Sequence, residues 1–443
     1  MSVFAPLLFK SSDPGAPTLS GTAGNLLNVL NACLIINKAF AAVSAGSFLD
    51  RTAEAQTQGG TAFTMFQTPG TNDEFYIGMS VKFGRAKFTL ATLGVGGTYV
   101  WEYWNGSAWT TLTVTDGTTG FTASGIVTWT APANWVSTAV NGVTLLWVRA
   151  RLTVANSTNP TVTTLTVTGW SIAFGPTTNQ ADYQQGGGNQ FYLDVNDNAP
   201  GAGTGKEARA FGFEAMSALG VGTGQHPTTV QRPAGIIPRK SATADATTRT
   251  WLLIADDRTL HLFVLTTDGA GTYYTFSWGD FYSEVLNDSF RTQIIGRHTE
   301  NDSGSGGENF GTVETACNQA VRTGHYVDRA YTGLGSSVQN LKITDSSKSN
   351  SANGLFGVVP FLNGPNGGLY LVPITLCESS HLRGRLRGVW APMHAVASYN
   401  DGDTFNGNNQ LAGRTFLVVK NVLLITGTAG AAVLETSDTW DTN

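Results

Sequence analysis

The sequence predicts an all-β chain with one short N-terminal helix: a jelly-roll-like β-sandwich inserted in a larger, less regular β-rich body. Three observations predict it. Charged residues are only 13% of the 443, and glycine is abundant at 53; the usual charged share is ~25%, so the composition suits many short strands and tight turns. Short β-branched and aromatic runs alternate in polarity and are separated by Gly-, Asn- and Asp-bearing turns. Spacing of the helical kind recurs at one place, near the N-terminus.

That helix is read from Leu26, Leu27, Leu30, Cys33 and Leu34, which recur three and four apart, with Ser20 or Thr22 as its cap. Asn25, Asn28 and Asn31 lie off the apolar stripe. The simpler expectation is a helix docked on a sheet of its own chain; the sharper one is an anchor for a neighbouring subunit.

Residues 45–176 read as the sandwich. Strands are expected at Phe75–Phe83, Lys87–Leu93, Tyr99–Trp104, Thr110–Thr115, Gly125–Thr130, Thr144–Val154 and Val162–Ala173. The run from Val100 through Trp104, Asn105-Gly106 and Trp109 to Leu112 predicts a hairpin closed by a two-residue Asn-Gly turn. Its faces alternate. Val100, Glu102 and Trp104 point one way; Tyr99, Trp101 and Tyr103 point the other. Rings on both faces mean that the hairpin is covered twice or displays rings for contact. In the strand around Trp147, Leu146, Val148, Ala150 and Leu152 share one face. Leu145, Trp147, Arg149 and Arg151 share the other, the arginines snorkelling to solvent or a partner. Trp101, Trp104, Trp109, Arg149 and Arg151 are the candidate contact residues. Indole faces stack on sugar rings, so a glycan is one candidate partner, although alternate large residues are also what a two-sheet core requires.

Residues 177–443 read as irregular β, with strands at Gln190–Val195, Arg249–Ile254, Thr259–Thr266, Gly368–Ile374 and Thr415–Ile425 and loops at Asp302–Glu308 and Ser346–Gly354. The length allows more than one core.

Several function classes are disfavoured. The net charge of −5 and the scatter of Lys and Arg give no phosphate track, so no nucleic-acid partner is expected. No signal for secretion and no run of 18 apolar residues is present, so no membrane insertion is expected. Cys33, Cys317 and Cys377 are far apart and read as buried thiols of a reducing compartment. Gly201 to Lys206 resembles a phosphate loop, but Pro200 stands at its leading glycine and Glu207 at its metal-binding hydroxyl. The six histidines show no metal-ligand spacing. Asp194/Asp197, Asp256/Asp257, Asp280, Glu284 and Asp401/Asp403 are the candidates for a glycosidase-type carboxylate pair, but several lie beside Gly or Asn, where Asp closes its own turn through its backbone. The residues thus predict no catalytic site, no cofactor and no metal.

The motifs together resemble β-rich virion structural proteins of tailed bacteriophages, those of the tail, baseplate or other exterior parts. The resemblance is carried by Phe75-Tyr76-Ile77-Gly78, the stretch Trp101 to Trp109, Trp129…Pro132…Trp135 and Trp147-Val148-Arg149. Ser12 to Pro17, Gly21 to Gly24 and Asn31 to Leu34 resemble the N-terminal segment of such proteins. Lys240 to Asp245, Gly324-His325-Tyr326, Gly367 to Tyr370, Leu382 to Leu386 and Gly413 to Leu417 resemble their C-terminal body. It implies a non-enzymatic subunit assembled in the host cytoplasm into the virion. Other virion proteins and further copies of the chain, a trimer by family habit, would be its partners. It also implies that residues 1–44 pack with 177–443 and that 45–176 is inserted between them. A host-receptor or glycan-binding module of a tail fibre and a head or collar decoration protein are the alternatives.

Overall fold

The computed structural model describes residues 4–44, 46–68, 70–198, 205–265, 274–296, 325–333, 337–338, 340–342, 371–378, 381–392, 399–425, 428–437 and 440. These are nearly all β, in several antiparallel sheets, none of them closed. The expected loops at Asp302–Glu308 and Ser346–Gly354 lie outside the described residues, as does Cys317.

Two compact units divide the chain: Met1–Leu8, Thr18–Leu27 and Phe174–Asn443 form one, and Phe9–Pro17 with Asn28–Ala173 form the other. The expected boundary at 44/45 is therefore corrected. Residues 9–17 and 28–44 belong with the sandwich, because a strand straight after the helix pairs into it.

The elements of the first stretch are β1 (Leu7–Lys10), α1 (Asn25–Leu34), β2 (Lys38–Ala42), β3 (Phe48–Asp50), α2 (Thr52–Gln56) and β4 (Phe63–Thr64). All five stripe residues of α1 are buried, which fits docking within its own chain. The expected cap is corrected. Neither Ser20 nor Thr22 caps the helix; the Asp197 carboxylate accepts the Leu26 N–H at 2.8 Å, filling one of the donors that a helix start leaves open.

The sandwich continues with β5 (Glu74–Met79), β6 (Arg85–Thr92), β7 (Thr98–Trp104), β8 (Trp109–Thr111), β9 (Thr115–Asp116), β10 (Gly125–Thr128), β11 (Thr138–Val140), β12 (Val143–Val154) and β13 (Thr161–Thr166). One sheet runs β3-β2-β5-β12-β7-β8, with β11 on β12; the other runs β4-β13-β6-β10-β9. Their inner faces meet through Phe63 and Phe75 (ring centroids 5.9 Å apart) and through Phe88 and Trp101 (6.2 Å). Leu146, Val148, Ala150 and Leu152 are buried on that inner side as expected. Trp129 and Trp135 are also core.

The hairpin turn differs from expectation. Trp104 pairs with Trp109, so the loop has four residues rather than two. The Asn105 carboxamide oxygen accepts the backbone N–H groups of Ser107 and Ala108, each at 2.9 Å, a side-chain mimic of a backbone turn. Only Gly106 takes a positive φ, +103°.

The other unit holds β15 (Gln180–Gln184), β16 (Tyr192–Asn196) and β17 (Arg209–Phe213), which follow β14 (Ser171–Phe174) in the chain, then a hairpin of β18 (Ala215–Ala218) and β19 (Val221–Thr223). Its core sheet runs β20 (Trp251–Ala255), β21 (Thr259–Val264), β22 (Tyr274–Asp280), then past β23 (Tyr282–Ser283) to β24 (Thr292–Ile295) and β25 (His325–Val327). Leu252, Ile254 and Phe263 pack there with Ile374, Leu386, Leu417 and Trp440 from strands and chain further on.

Candidate functional site

The outer face of the β3-β2-β5-β12-β7-β8 sheet gathers most of the candidate residues. Register builds it. Phe40 lies opposite Tyr76, Tyr76 opposite Arg149, Arg149 opposite Glu102, and Glu102 opposite Thr111, so one row crosses five strands. A line of rings runs through the same face. Phe48 meets Phe40 at 6.0 Å and Phe40 stacks on Trp147 at 5.4 Å. Tyr76 sits edge-on to Trp147 at 6.1 Å and to Trp109 at 5.5 Å, and Trp109 edge-on to Trp104 at 5.8 Å. Trp147 is fully buried, and a side chain on Gly78, directly opposite, would meet its ring at 2.5 Å. Glycine there makes room for the indole. Phe48, Trp104 and Trp109 are half-buried.

The charges on this face pair among themselves. Glu102 accepts from Arg149 Nε at 2.7 Å and from Arg151 Nη2 at 2.9 Å, and Glu74 takes Arg149 Nη1 at 2.5 Å. Tyr76 donates to Glu74 and accepts from Arg149 at 3.1 Å. The Arg149 guanidinium also lies 4.2 Å from the Trp109 ring centre, a cation–π contact. At the sheet edge Lys38 pairs with Asp50 at 3.1 Å. Burial alone would raise the Glu102 carboxyl, but the hydrogen bonds and charges of Arg151 and Arg149 outweigh it and hold the group below the usual range. Burial pushes the Tyr76 phenol up, with Glu74 adding to it and Arg149 opposing.

Two expectations are corrected. Trp101 is no surface residue: it stacks on Trp129 at 6.2 Å inside the sandwich. Arg149, only 11% exposed, does not snorkel but pairs with Glu102 and Glu74, whereas Arg151 pairs with Glu102 and keeps 26% of its side chain exposed. Trp104 and Trp109 remain as half-exposed rings. Phe48, Glu74, Tyr76 and Glu102 were missed as site residues; Glu74, Tyr76 and Gly78 on alternate positions are the signal that marks their shared face.

Most acids singled out in the sequence have structural tasks. Asp256 accepts the N–H groups of Arg258 and Thr259 and pairs with Arg387 at 2.7 Å. Asp401 and Asp403 accept N–H groups of Lys420 and Asn400. Glu207 is buried between Arg209 (3.7 Å) and Arg239 (3.8 Å). Burial raises Asp197 to about 6 against the opposing pull of Lys240, its buried partner. Cys33 is a buried free thiol, pushed up by burial and then by the charge of Asp13. Among the described residues no group of three or more His, Cys, Asp and Glu could hold a metal ion, and no helix is long and apolar enough to cross a membrane.

No protein-family model matches the chain, and no curated protein sequence matches it.

Proposed function

We propose that the chain is a non-enzymatic structural subunit of a tailed-phage virion, placed in the tail or baseplate region, and that the outer face of its sandwich makes contacts with neighbours. Support comes from the motif resemblance and from the all-β build. The observation that carries the contact role is the half-exposed pair Trp104 and Trp109, clamped from beneath by Arg149, Glu102 and Tyr76. Trp, Tyr and Arg dominate the energy of protein interfaces, and side chains held before binding lose little entropy on contact. A closed homo-oligomer, a trimer, fits parts that repeat about an axis.

The test is a density map of intact particles with mass spectrometry of their components. The chain is expected in the particle exterior as a symmetric oligomer. Absence from particles, together with a monomer in sedimentation at high concentration, would overturn the reading. The same map separates a tail site from a head or collar one. The half-exposed indoles also favour a second reading, a host-surface glycan or receptor as partner. Glycan-array binding that is lost in Trp104→Ala and Trp109→Ala would support it; binding that survives both would refute ring stacking.

A further inference from the structure

Lys240 and Asp197 form an ion pair with no side-chain surface exposed on either partner. Lys240 Nζ bonds Asp197 Oδ1 and also donates to the Thr22 carbonyl at 2.7 Å. Among the described residues these are its two acceptors, whereas an ammonium carries three donors. The other carboxylate oxygen, Oδ2, accepts the Leu26 N–H at 2.8 Å, with the Leu27 N–H adding to it. Both backbones are fixed. The Asp197 N–H donates to the Asn179 carbonyl at 2.7 Å, and the Lys240 N–H to the Lys206 carbonyl at 2.9 Å.

An amide joining Nζ to Cγ would keep the partners that surround the pair. Its N–H would donate to the Thr22 carbonyl, and its oxygen would accept from Leu26 and Leu27. We propose that Lys240 and Asp197 condense into an isopeptide bond, a covalent staple that the folded chain makes for itself.

The step balances without any further reagent. The ammonium hands one proton to Oδ1, leaving a neutral amine beside a carboxylic acid. The nitrogen lone pair attacks Cγ and forms the C–N bond. Negative charge then builds on Oδ2, where the Leu26 and Leu27 N–H groups at the start of α1 receive it, as donors in an oxyanion hole do. A second proton moves from nitrogen to Oδ1, the Cγ–Oδ1 bond breaks, and water leaves with the bonding pair. One proton stays on the amide nitrogen. Fixed backbones supply the positioning that makes such a reaction effectively unimolecular, and the product relieves the cost of two buried charges. Burial lowers the Lys240 amine against the pull of Asp197, and burial raises the Asp197 carboxyl to about 6 against the pull of Lys240. Both shifts favour the neutral pair from which attack begins.

Other ion pairs lack one of these conditions. Arg387 with Asp256 and Arg383 with Asp288 are buried, but a guanidinium stays protonated and is no nucleophile. Lys38 with Asp50 is open to water. The staple would close residues 197–240, with β17 and the β18–β19 hairpin, into a covalent ring, which restricts the unfolded chain as a disulfide does.

The test is the intact mass of the purified full chain under denaturing conditions, fresh and after days at neutral pH, with tryptic mapping. The mass is expected to fall below the sequence mass by one water. Trypsin should no longer cut after Lys240, and fragmentation should show the peptide holding Asp197 joined to the one holding Lys240. Lys240→Arg keeps the cation and lacks the primary amine, so its mass should stay at the sequence value. A wild-type chain that keeps its full mass throughout would overturn the staple, and that reading stands whether or not the variant folds. A water lost in Lys240→Arg as well, or mapped to a succinimide such as one at Asp116-Gly117, would also overturn it.

Discussion

Glutamine in place of Glu102 keeps the shape of the side chain and deletes its charge, which probes the outer face at its centre. The carboxylate accepts from Arg149 at 2.7 Å and from Arg151 at 2.9 and 3.2 Å. Hydrogen bonds to charged groups contribute about 1.5–3 kcal/mol each. A carboxamide retains one accepting oxygen, and Arg151, with 26% of its side chain exposed, can turn to water. Arg149 is only 11% exposed but keeps Glu74. The loss should thus come to roughly one charged hydrogen bond, about 2 kcal/mol. For a unit of this size that lowers the melting temperature by about 4–8 °C. Calorimetry with near-UV circular dichroism of the tryptophans reads it. The depressed Glu102 carboxyl adds a sign test. Its contribution is present above the unfolded value near ~4.3 and is lost as pH falls through the lower folded value. The gap between wild type and Glu102→Gln should be full at pH 7 and close in strong acid. A shift under about 1 °C at pH 7, against the 4–8 °C expected, or a gap unchanged in strong acid, would refute the claim that this carboxylate organises the face.

Three further outcomes are expected. Gly106→Val puts a β-branched residue at φ +103° with its Cβ 3.4 Å from Val136, so it should destabilise the sandwich by about 2 kcal/mol, read as faster exchange within 74–166 and unchanged protection in β20–β22. Lys240→Met leaves Asp197 buried without its cation and should cost about 3–5 kcal/mol in denaturant unfolding; a loss under 1 kcal/mol, well below that range, would mean that water replaces the amine. Deleting 45–176 removes β3 and β5, both partners of β2, so the remainder should expose Phe40 and its neighbours and self-associate in light scattering. A monodisperse product would mean that the boundary at residue 44 is sound after all.

The strands of the sandwich were legible because period-two alternation survives in them; Leu146 to Leu152 lie on the face that their spacing assigns. Strand β2 was not. Lys38-Ala39-Phe40-Ala41-Ala42 carries no β-branched residue and follows a helix directly, and only pairing with β5 makes it a strand, a case of tertiary context overriding propensity. The α1 cap escaped for a related reason, since Asp197 lies 171 residues from the N–H that it accepts. Asp182 carries no signal in the sequence, and Asp194 is legible there as a candidate acid on the expected strand Gln190–Val195. Their contact depends on the register of β15 against β16, which composition does not encode.

The rings on both faces of the β7–β8 hairpin raised a choice between double cover and display, and the two faces answer it differently. Trp101 and Tyr103 face the second sheet and are buried. Trp104 and Trp109 lie on the opposite face and are half-buried, with edge contacts and a cation supplied by strands of the same sheet. A bare pair of indoles would be free to turn and would be an aggregation liability. Here Arg149 lies against Trp109, Glu102 and Glu74 hold Arg149, and Tyr76 closes the gap between Trp109 and Trp147. The three cations Lys38, Arg149 and Arg151 meet three anions, Asp50, Glu74 and Glu102, so the face presents aromatic surface with its charge already balanced. Such a surface gives little long-range electrostatic steering. It favours a partner brought close by assembly or by repeated copies, for which shape and ring contact decide the fit.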